Sequence, residues 1–237
     1  MRKRWKLLLP ALLLLLLAAG FLIYASVYYH ADETALAALE SEGAVRVSRT
    51  DYGWFFDGPS ERDALIFYPG AKVEAAAYAP LLRELAGSGM DVLLAEMPLR
   101  FAVFGMNKAD RLLDRYDYDA WYVGGHSLGG AVAANYAAAH PERLRGVILF
   151  AAYPTKELDD SLLLLSVYGS EDGVLRPDRV EAGRAFAPKD YYEIVIEGGN
   201  HAQFGSYGPQ SGDGEAALTA AGQQELAADF IIRAIGK

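Results

Sequence analysis

The chain has 237 residues, no cysteine and a formal net charge of −9 at pH 7. That length suits one α/β domain with a short extension. The lack of cysteine excludes a disulfide scaffold, a thiolate metal site and a cysteine nucleophile. All 31 acidic residues lie after residue 31, where they outnumber the basic ones. Sequence-independent nucleic-acid binding is therefore excluded, because it needs clustered Lys and Arg.

A basic head and a long apolar run open the chain. Residues 7–29 contain no charged side chain, and as a helix they would reach roughly 35 Å, enough to cross a bilayer core. The head, residues 1–6, predicts that the N-terminus stays in the cytoplasm and that residues 31–237 lie outside. Its four basic residues are Arg2, Lys3, Arg4 and Lys6. The sequence thus predicts a single-pass membrane protein with an extracytoplasmic domain.

The same run has a second interpretation, a cleaved signal peptide that leaves a secreted protein. Small residues at 18–20 would serve as the cleavage site. However, the apolar pattern continues past them, and Tyr24, Tyr28 and Tyr29 suit the outer membrane interface. We therefore expect an uncleaved signal-anchor.

The remainder divides into a linker at residues 30–43 and one domain at 44–237. In the domain, strand-like apolar runs alternate with helical segments, a pattern that predicts a mostly parallel sheet with helices on both faces. The predicted strands are Ala44–Arg49, Ala64–Tyr68, Asp91–Glu96, Ala120–Gly124, Gly146–Ala151, Leu163–Tyr168 and Tyr191–Ile196. The predicted helices are Glu74–Leu85, Lys108–Arg115, Leu128–Ala139, Asp178–Phe186 and Thr219–Ile235.

One strand runs directly into a G-x-S-x-G motif that is followed by a helix of small residues. Ser127 is the serine of this motif, flanked by Gly125 and Gly129. A nucleophilic serine needs a tight strand–turn–helix connection that presents its hydroxyl above the sheet, and glycines leave room for that turn. The following helix offers an N–H group, that of Leu128, to a developing oxyanion. The motif predicts a nucleophile elbow.

A serine nucleophile needs a base, and the chain has only four histidines. His30 borders the apolar run, His126 adjoins the serine, and His140 ends a predicted helix. His201 remains, in a loop after the last predicted strand, where a base is presented at the carboxyl edge of the sheet. We predict His201 as the general base.

The acid that orients the base should lie between Ser127 and His201 in the chain. Glu171 and Asp172 both follow a predicted strand. We favour Asp172, because Gly173 after it permits a sharp turn, and Glu171 stays the alternative. The second oxyanion donor is expected in the loop after an earlier central strand, and the backbone N–H of Ala71 is our candidate.

Together these motifs resemble the α/β-hydrolase superfamily over about residues 44–237, and are most similar to its small, lidless dienelactone-hydrolase and carboxylesterase-like branch. The resemblance implies the α/β-hydrolase fold, a mostly parallel sheet of about eight strands. Pro69 departs from the family pattern, which has His at this position. The donor there is a backbone N–H group, so we expect the departure to be tolerated.

The sequence therefore predicts a membrane-anchored serine hydrolase that needs neither cofactor nor metal. A carboxylic ester is the expected substrate, a small molecule cleaved through an acyl-enzyme. Two alternatives stay open. The first is a catalytically inactive surface binding module, and the second is an acyltransferase or amidase on the same triad. A lipase is less favoured, because only residues 152–162 occupy the place of a helical lid.

Overall fold

The computed structural model describes residues 2–59 and 62–236 of the protein. Its centre is one eight-stranded sheet with the spatial order β1-β2-β4-β3-β5-β6-β7-β8. The strands are β1 Arg46–Arg49, β2 Gly53–Asp57, β3 Asp63–Tyr68, β4 Met90–Ala95, β5 Ala120–His126, β6 Gly146–Phe150, β7 Leu163–Gly169 and β8 Asp190–Ile196. The six strands from β3 to β8 run parallel, and only the β1–β2 and β2–β4 pairs are antiparallel. The α/β-hydrolase architecture predicted from the sequence is confirmed.

Seven α-helices accompany the sheet within the described residues. They are α1 Arg2–Ser26, α2 Glu33–Ala37, α3 Ala79–Gly87, α4 Lys108–Leu113, α5 Leu128–Ala139, α6 Pro177–Gly183 and α7 Ala220–Ile235. The helix predicted over 74–85 begins instead as a 3₁₀ turn and becomes α-helical only at Ala79. Pro80 explains this boundary, because proline has no N–H to donate and is tolerated only in the first turn of a helix.

Strand β2 is the element that the sequence analysis did not predict. It reads Gly-Trp-Phe-Phe-Asp and is joined to β1 by a short turn, so it lies between β1 and β4. Its aromatic residues suit a strand. They show no simple alternation, however, because Phe56 is fully buried whereas Trp54 and Phe55 are half-buried. A pattern-based prediction had no periodic signal to detect here.

The sheet separates two apolar cores, as the alternation of side chains along a strand requires. In β3, Leu65 and Phe67 face one core, whereas Ile66 and Tyr68 face the other. Helices α3 and α7 cover the first core, and α4 and α5 cover the second. This arrangement leaves the carboxyl ends of the parallel strands as one edge, where the loops that follow β3, β5, β7 and β8 gather.

Helix α1 projects away from the domain. Its segment Leu9–Ser26 is long and apolar enough to cross a membrane, by length and composition. The leucines from Leu12 to Leu17 are each more than half exposed. The helix ends at Ser26 and not at residue 29, because Tyr29 pairs in parallel with Val73.

The segment predicted as a linker, 30–43, lies against the domain. It contains α2, whose N-cap Asp32 accepts a hydrogen bond from the backbone N–H of Ala35, and Ala35 is fully buried. Arg83 of α3 donates to the carbonyl of Ala38 at 3.0 Å. These contacts fix the connection between α1 and the sheet at a defined position.

Candidate active site

Ser127 lies on a sharp turn between β5 and α5, with φ 52° and ψ −124°. A positive φ is costly for a residue with a Cβ atom, and such strain is tolerated where the surrounding structure imposes it. The Ser127 N–H donates to the carbonyl of Phe150 on the neighbouring strand at 2.9 Å. The turn leaves the serine half-buried at the carboxyl edge of the sheet. This is the geometry expected of a nucleophile elbow.

The two glycines of the motif are required by close backbone contacts. A Cβ atom on Gly125 would lie 2.2 Å from the carbonyl oxygen of Tyr68. A Cβ atom on Gly129 would lie 2.2 Å from that same oxygen and 2.3 Å from the carbonyl oxygen of Pro69. All three distances are too short for non-bonded heavy atoms. The glycines thus allow the end of β3, and the loop after it, to approach the serine.

Asp172 and His201 are brought together from the loops after β7 and β8. His201 Nδ1 lies 2.8 Å from Asp172 Oδ2, and both side chains are only 2% exposed. The other carboxylate oxygen, Oδ1, accepts the backbone N–H groups of Val174 and Leu175 at 2.9 and 2.7 Å. An ionised carboxylate only accepts hydrogen bonds, so Nδ1 of His201 carries the proton and donates it to Asp172.

This arrangement leaves Nε2 of His201 with a lone pair. The atom is buried and has no hydrogen-bond partner among the described residues. Buried polar atoms without a hydrogen-bond partner are uncommon in proteins, and functional sites are among the places where they occur. In chemical terms, Nε2 is a base without a bound proton at the same sheet edge as Ser127.

Glu171, the alternative acid, points elsewhere. It is exposed, and its carboxylate accepts a hydrogen bond from the hydroxyl of Ser170 at 3.1 Å. Gly173 is needed for a reason other than the one we expected. A Cβ atom there would lie 2.5 Å from the carbonyl oxygen of Gly212, so the glycine admits a neighbouring loop.

The loop after β3 contains Ala71, the candidate for the second oxyanion donor. The N–H of Gly70 donates to the Tyr78 hydroxyl at 3.1 Å, and the N–H of Lys72 donates to the carbonyl of Arg100 at 3.0 Å. Between them, the N–H of Ala71 donates to no protein acceptor in the described part of the chain. The N–H of Leu128 is the first of helix α5 and has no intrahelical partner either. Two backbone donors are thus available beside the elbow.

His126, rejected as a base from the sequence, is buried and has hydrogen-bond partners on both ring nitrogens. Its Nε2 lies 3.0 Å from the carbonyl oxygen of His201, so Nε2 donates. Its Nδ1 therefore accepts from the Tyr78 hydroxyl at 2.8 Å, and that hydroxyl accepts from Gly70. Complete burial, with His201 beside it, holds the pKa of His126 well below its usual value. A series of hydrogen bonds between uncharged groups therefore connects the loop after β3, the turn at Ser127 and the loop that carries His201.

Asp213 connects the loop after β7, which carries Asp172, with the loop after β8, which carries His201. It was not among the residues predicted from the sequence. Its carboxylate accepts the backbone N–H groups of Gly173, His201 and Ala202 at 3.1, 3.1 and 2.8 Å. The Gly-rich segment 205–214 is therefore joined by this carboxylate to the loops that carry Asp172 and His201. An acidic residue between two glycines, shortly after the predicted base, is the signal available in the sequence.

A metal centre would need further ligands beside Asp172 and His201. Over residues 2–59 and 62–236, no three His, Asp or Glu side chains are grouped as a metal site. The nearby carboxylate of Asp213 already binds backbone N–H groups. What the arrangement provides is acid–base and nucleophilic chemistry.

Comparison with known proteins agrees with the fold. The model of a family described as the alpha/beta hydrolase family matches residues 64–225, more than half of the chain. The chain belongs to the α/β-hydrolase family. The resemblance noted in the sequence is thereby confirmed at the level of the family.

Two solved structures illustrate how widely this fold is shared. A CIB-like hydrolase from Thermoplasma acidophilum superposes with a TM-score of 0.60 and 14% identity, covering 80% of this chain and 99% of that one. Est1E from Butyrivibrio proteoclasticus superposes with a TM-score of 0.58 and 15% identity, covering 82% and 100%. At these identities the similarity concerns the fold alone.

A sequence relative is similar over a shorter stretch. Over 108 residues the chain is 30% identical to a protein from Mycobacterium phage D29 named as a non-heme haloperoxidase. The match spans 41% of this chain and 39% of that relative. The relative therefore supports common ancestry of the matched segment, and its activity is a property of that protein.

Proposed function

We propose that the protein is a membrane-anchored serine hydrolase that cleaves carboxylic esters of small molecules through an acyl-enzyme. The observation that carries the proposal is the buried pair of Asp172 and His201, joined at 2.8 Å, with a second imidazole nitrogen that has no partner in the described residues. A structural histidine would have both ring nitrogens satisfied, as His126 has. The unpartnered nitrogen suits a base that waits for a proton from Ser127.

In the first half of the reaction, Ser127 Oγ attacks the ester carbonyl carbon while His201 Nε2 takes the hydroxyl proton. The carbonyl oxygen becomes an oxyanion, which the N–H groups of Ala71 and Leu128 stabilise. The tetrahedral intermediate collapses, the C–O bond to the alcohol breaks, and the imidazolium returns its proton to the leaving alcohol. Asp172 holds the tautomer of His201 and stabilises the imidazolium throughout.

In the second half, a water molecule attacks the acyl-enzyme and gives its proton to the same Nε2 atom. The second tetrahedral intermediate then releases the carboxylic acid and restores the Ser127 hydroxyl. Thioesters, amides and acyl acceptors other than water obey the same steps, so an acyltransferase or amidase differs only in its leaving or accepting group.

The proposal includes the location of the enzyme. Helix α1 contains the apolar segment Leu9–Ser26 and a basic N-terminal end, which supports a single span with the N-terminus in the cytoplasm. The domain at 44–237 would then lie on the extracytoplasmic side, with 30–43 as the connection.

Active-site labelling tests the chemistry. We expect a fluorophosphonate probe to label the wild-type chain and not Ser127→Ala, and we expect Ser127→Ala to lower kcat on p-nitrophenyl esters by several orders of magnitude. His201→Ala should cost a similar factor, and the double variant should be little worse, because the two residues act as a unit.

The alternative, an inactive surface binding module, makes the opposite prediction. Such a protein would not react with the probe, and Ser127→Ala would change nothing. If Ser127→Ala retained more than about a tenth of the esterase activity, the nucleophile would be assigned wrongly.

A further inference from the structure

Residues 97–106, here called the rim loop, follow β4 and lie against the end of α1. The ring of Phe21 on α1 lies 5.8 Å from that of Phe101 and 5.9 Å from that of Phe104. Phe21 is five residues before the last residue of the helix, which is about 7–8 Å along its axis. The rim loop therefore reaches back beside the apolar segment of α1.

The rim loop exposes an apolar patch at this level. Leu99, Val103, Phe104 and Met106 are 43%, 52%, 53% and 39% exposed. A group of large exposed apolar side chains indicates an interaction surface. Because Phe104 touches Phe21, this patch is continuous with the surface of the proposed membrane span.

Aromatic and basic side chains mark the boundary of the patch. The ammonium of Lys72 lies 3.8 Å from the ring centre of Tyr24, and the guanidinium of Arg100 lies 3.3 Å from that of Tyr28. Lys108 and Arg111 share a cleft of about 390 Å³ with Val103, Phe104 and Met106. Tyrosines and basic residues above an apolar surface match the headgroup region of a bilayer with anionic lipids. Glu74 and Glu96 line the neighbouring cleft beside Leu99 and Arg100, so the boundary contains charges of both signs.

The same loop contacts the proposed catalytic machinery. The carbonyl of Arg100 accepts the N–H of Lys72, one residue after the Ala71 donor. On the other side, Leu128 packs against the apolar cluster that contains Met97 and Ala102. The rim loop thus lies beside the two segments that contain the proposed oxyanion donors.

We propose that the rim loop inserts into the outer leaflet of the bilayer that α1 spans, and that the enzyme takes its substrate from this leaflet. The inference rests on the proposed function above and specifies its substrate class, an ester with a long acyl chain carried by a membrane amphiphile. Insertion of the exposed side chains at 99, 103, 104 and 106 holds the carboxyl edge of the sheet against the leaflet, where such amphiphiles reside. The chemistry is unchanged: the ester takes up water and gives a fatty acid and an alcohol.

Insertion is tested without reference to activity. The chain contains no cysteine, so Val103→Cys gives a single site for a nitrobenzoxadiazole probe in the full-length protein. Leu226→Cys, on α7 and similarly exposed at 48%, is the matched control, since it lies beside β8 and away from the rim loop. In phosphatidylcholine–phosphatidylglycerol vesicles, we expect blue-shifted emission and quenching by nitroxide lipids at 103 and neither at 226. Equal quenching at the two sites, or none at 103, would overturn the inference.

Kinetics tests the substrate class. We expect the double variant Val103→Ser and Phe104→Ser to lower hydrolysis of a p-nitrophenyl palmitate embedded in vesicles by about tenfold or more. Hydrolysis of soluble p-nitrophenyl acetate should stay within about twofold, and Leu226→Ser should change neither rate. An equal loss on both esters would mean that the patch is structural, which contradicts the inference. Failure of the proposed function can be distinguished from failure of this inference. In that case wild type and Ser127→Ala would be equally inactive on the acetate, whereas quenching of the nitrobenzoxadiazole probe at 103 would still be observed.

Discussion

At the scale of single residues, side-chain direction distinguishes the two candidates for the acid of the proposed triad. Glu171 and Asp172 are adjacent in the chain, and only Asp172 reaches His201. Two backbone N–H groups hold the other oxygen of Asp172, so the short side chain has little freedom to turn away. The longer side chain of Glu171 is left at the surface.

We expect Asp172→Asn to lower kcat by about 10³–10⁴, because the amide favours the wrong tautomer of His201 while keeping the shape of the site. Glu171→Gln is the matched control and should have almost no effect. Ester hydrolysis by the two purified variants, with circular dichroism to verify folding, makes the measurement. A larger loss in Glu171→Gln would assign the acid one residue earlier.

His126 gives the protein a pH-dependent stability. Because burial lowers the pKa of His126, the folded protein keeps this imidazole neutral under conditions in which the unfolded chain protonates it. Below about pH 6.5, the unfolded state binds a proton that the folded state does not, so this group lowers the free energy of unfolding by up to about 1.4 kcal/mol per pH unit.

The variant His126→Gln removes this proton uptake and retains a donor for the His201 carbonyl. We therefore expect wild type to be more stable than the variant at pH 8, and the difference in Tm to shrink as the pH falls to 5.5. Thermal unfolding of both full-length proteins in detergent, over that pH range, provides the measurement. A difference in Tm that stays constant with pH would contradict a neutral buried His126.

At the scale of elements, loops from four strands must meet at one edge of the sheet. The parallel arrangement of β3 to β8 brings the loop ends together, but cross-links between the loops set their distances. Asp213 is one such link. Its carboxylate accepts hydrogen bonds from the backbone N–H of Gly173 in the loop after β7, and from those of His201 and Ala202 in the loop after β8.

We expect Asp213→Asn to lower kcat/KM by about 10- to 100-fold with the fold intact. The amide nitrogen would face a backbone donor, and each charge-assisted hydrogen bond of this kind contributes about 1.5–3 kcal/mol. Asp229→Asn on α7 breaks only an exposed pair with Arg233 and serves as the control. Ester hydrolysis and Tm are the readouts, and equal activity of the two variants would exclude a positioning role for Asp213.

At the scale of the whole molecule, α1 has a defined position relative to the domain. Ala25 is 2% exposed, Tyr29 pairs with Val73, and the N–H of Asp32 donates to the carbonyl of Ser206 at 2.9 Å. A flexible tether would leave these groups free. If α1 spans a membrane as proposed, these contacts would orient the carboxyl edge of the sheet with respect to that membrane.

We expect the full-length protein to stay with the membrane fraction through alkaline carbonate washing and to be released only by detergent. Protease added outside intact cells should digest the domain, because residues after the span lie on that side. Immunoblotting of the fractions makes both measurements. A mature chain that begins near Phe21 and is found free in the medium would show instead that the apolar run is a cleaved signal.

The amino-acid sequence was sufficient to predict the class of fold, and it supplied the candidate site residues that stay predictions. Alternating apolar runs and helical segments were sufficient to predict a parallel sheet, because buried strands and amphipathic helices leave periodic patterns. A nucleophile elbow at Ser127 could be predicted because the strand, the glycines and the helix follow one another directly in the chain. Strand β2, however, was not predicted. The burial of its residues does not alternate along the strand and depends on neighbours that are distant in the sequence.

Which side chains lie in contact depends on the tertiary structure. The hydrogen bond of Asp172 with His201, that of His126 with the His201 carbonyl and those of the Asp213 carboxylate join residues that lie 11 to 75 positions apart in the chain. The same is true of the contact between Phe21 and the rim loop, which connects two segments that show no mutual signal in the sequence. The local sequence pattern indicates each strand and helix. Contacts between side chains of different loops at the carboxyl edge depend on how all the strands and helices pack together.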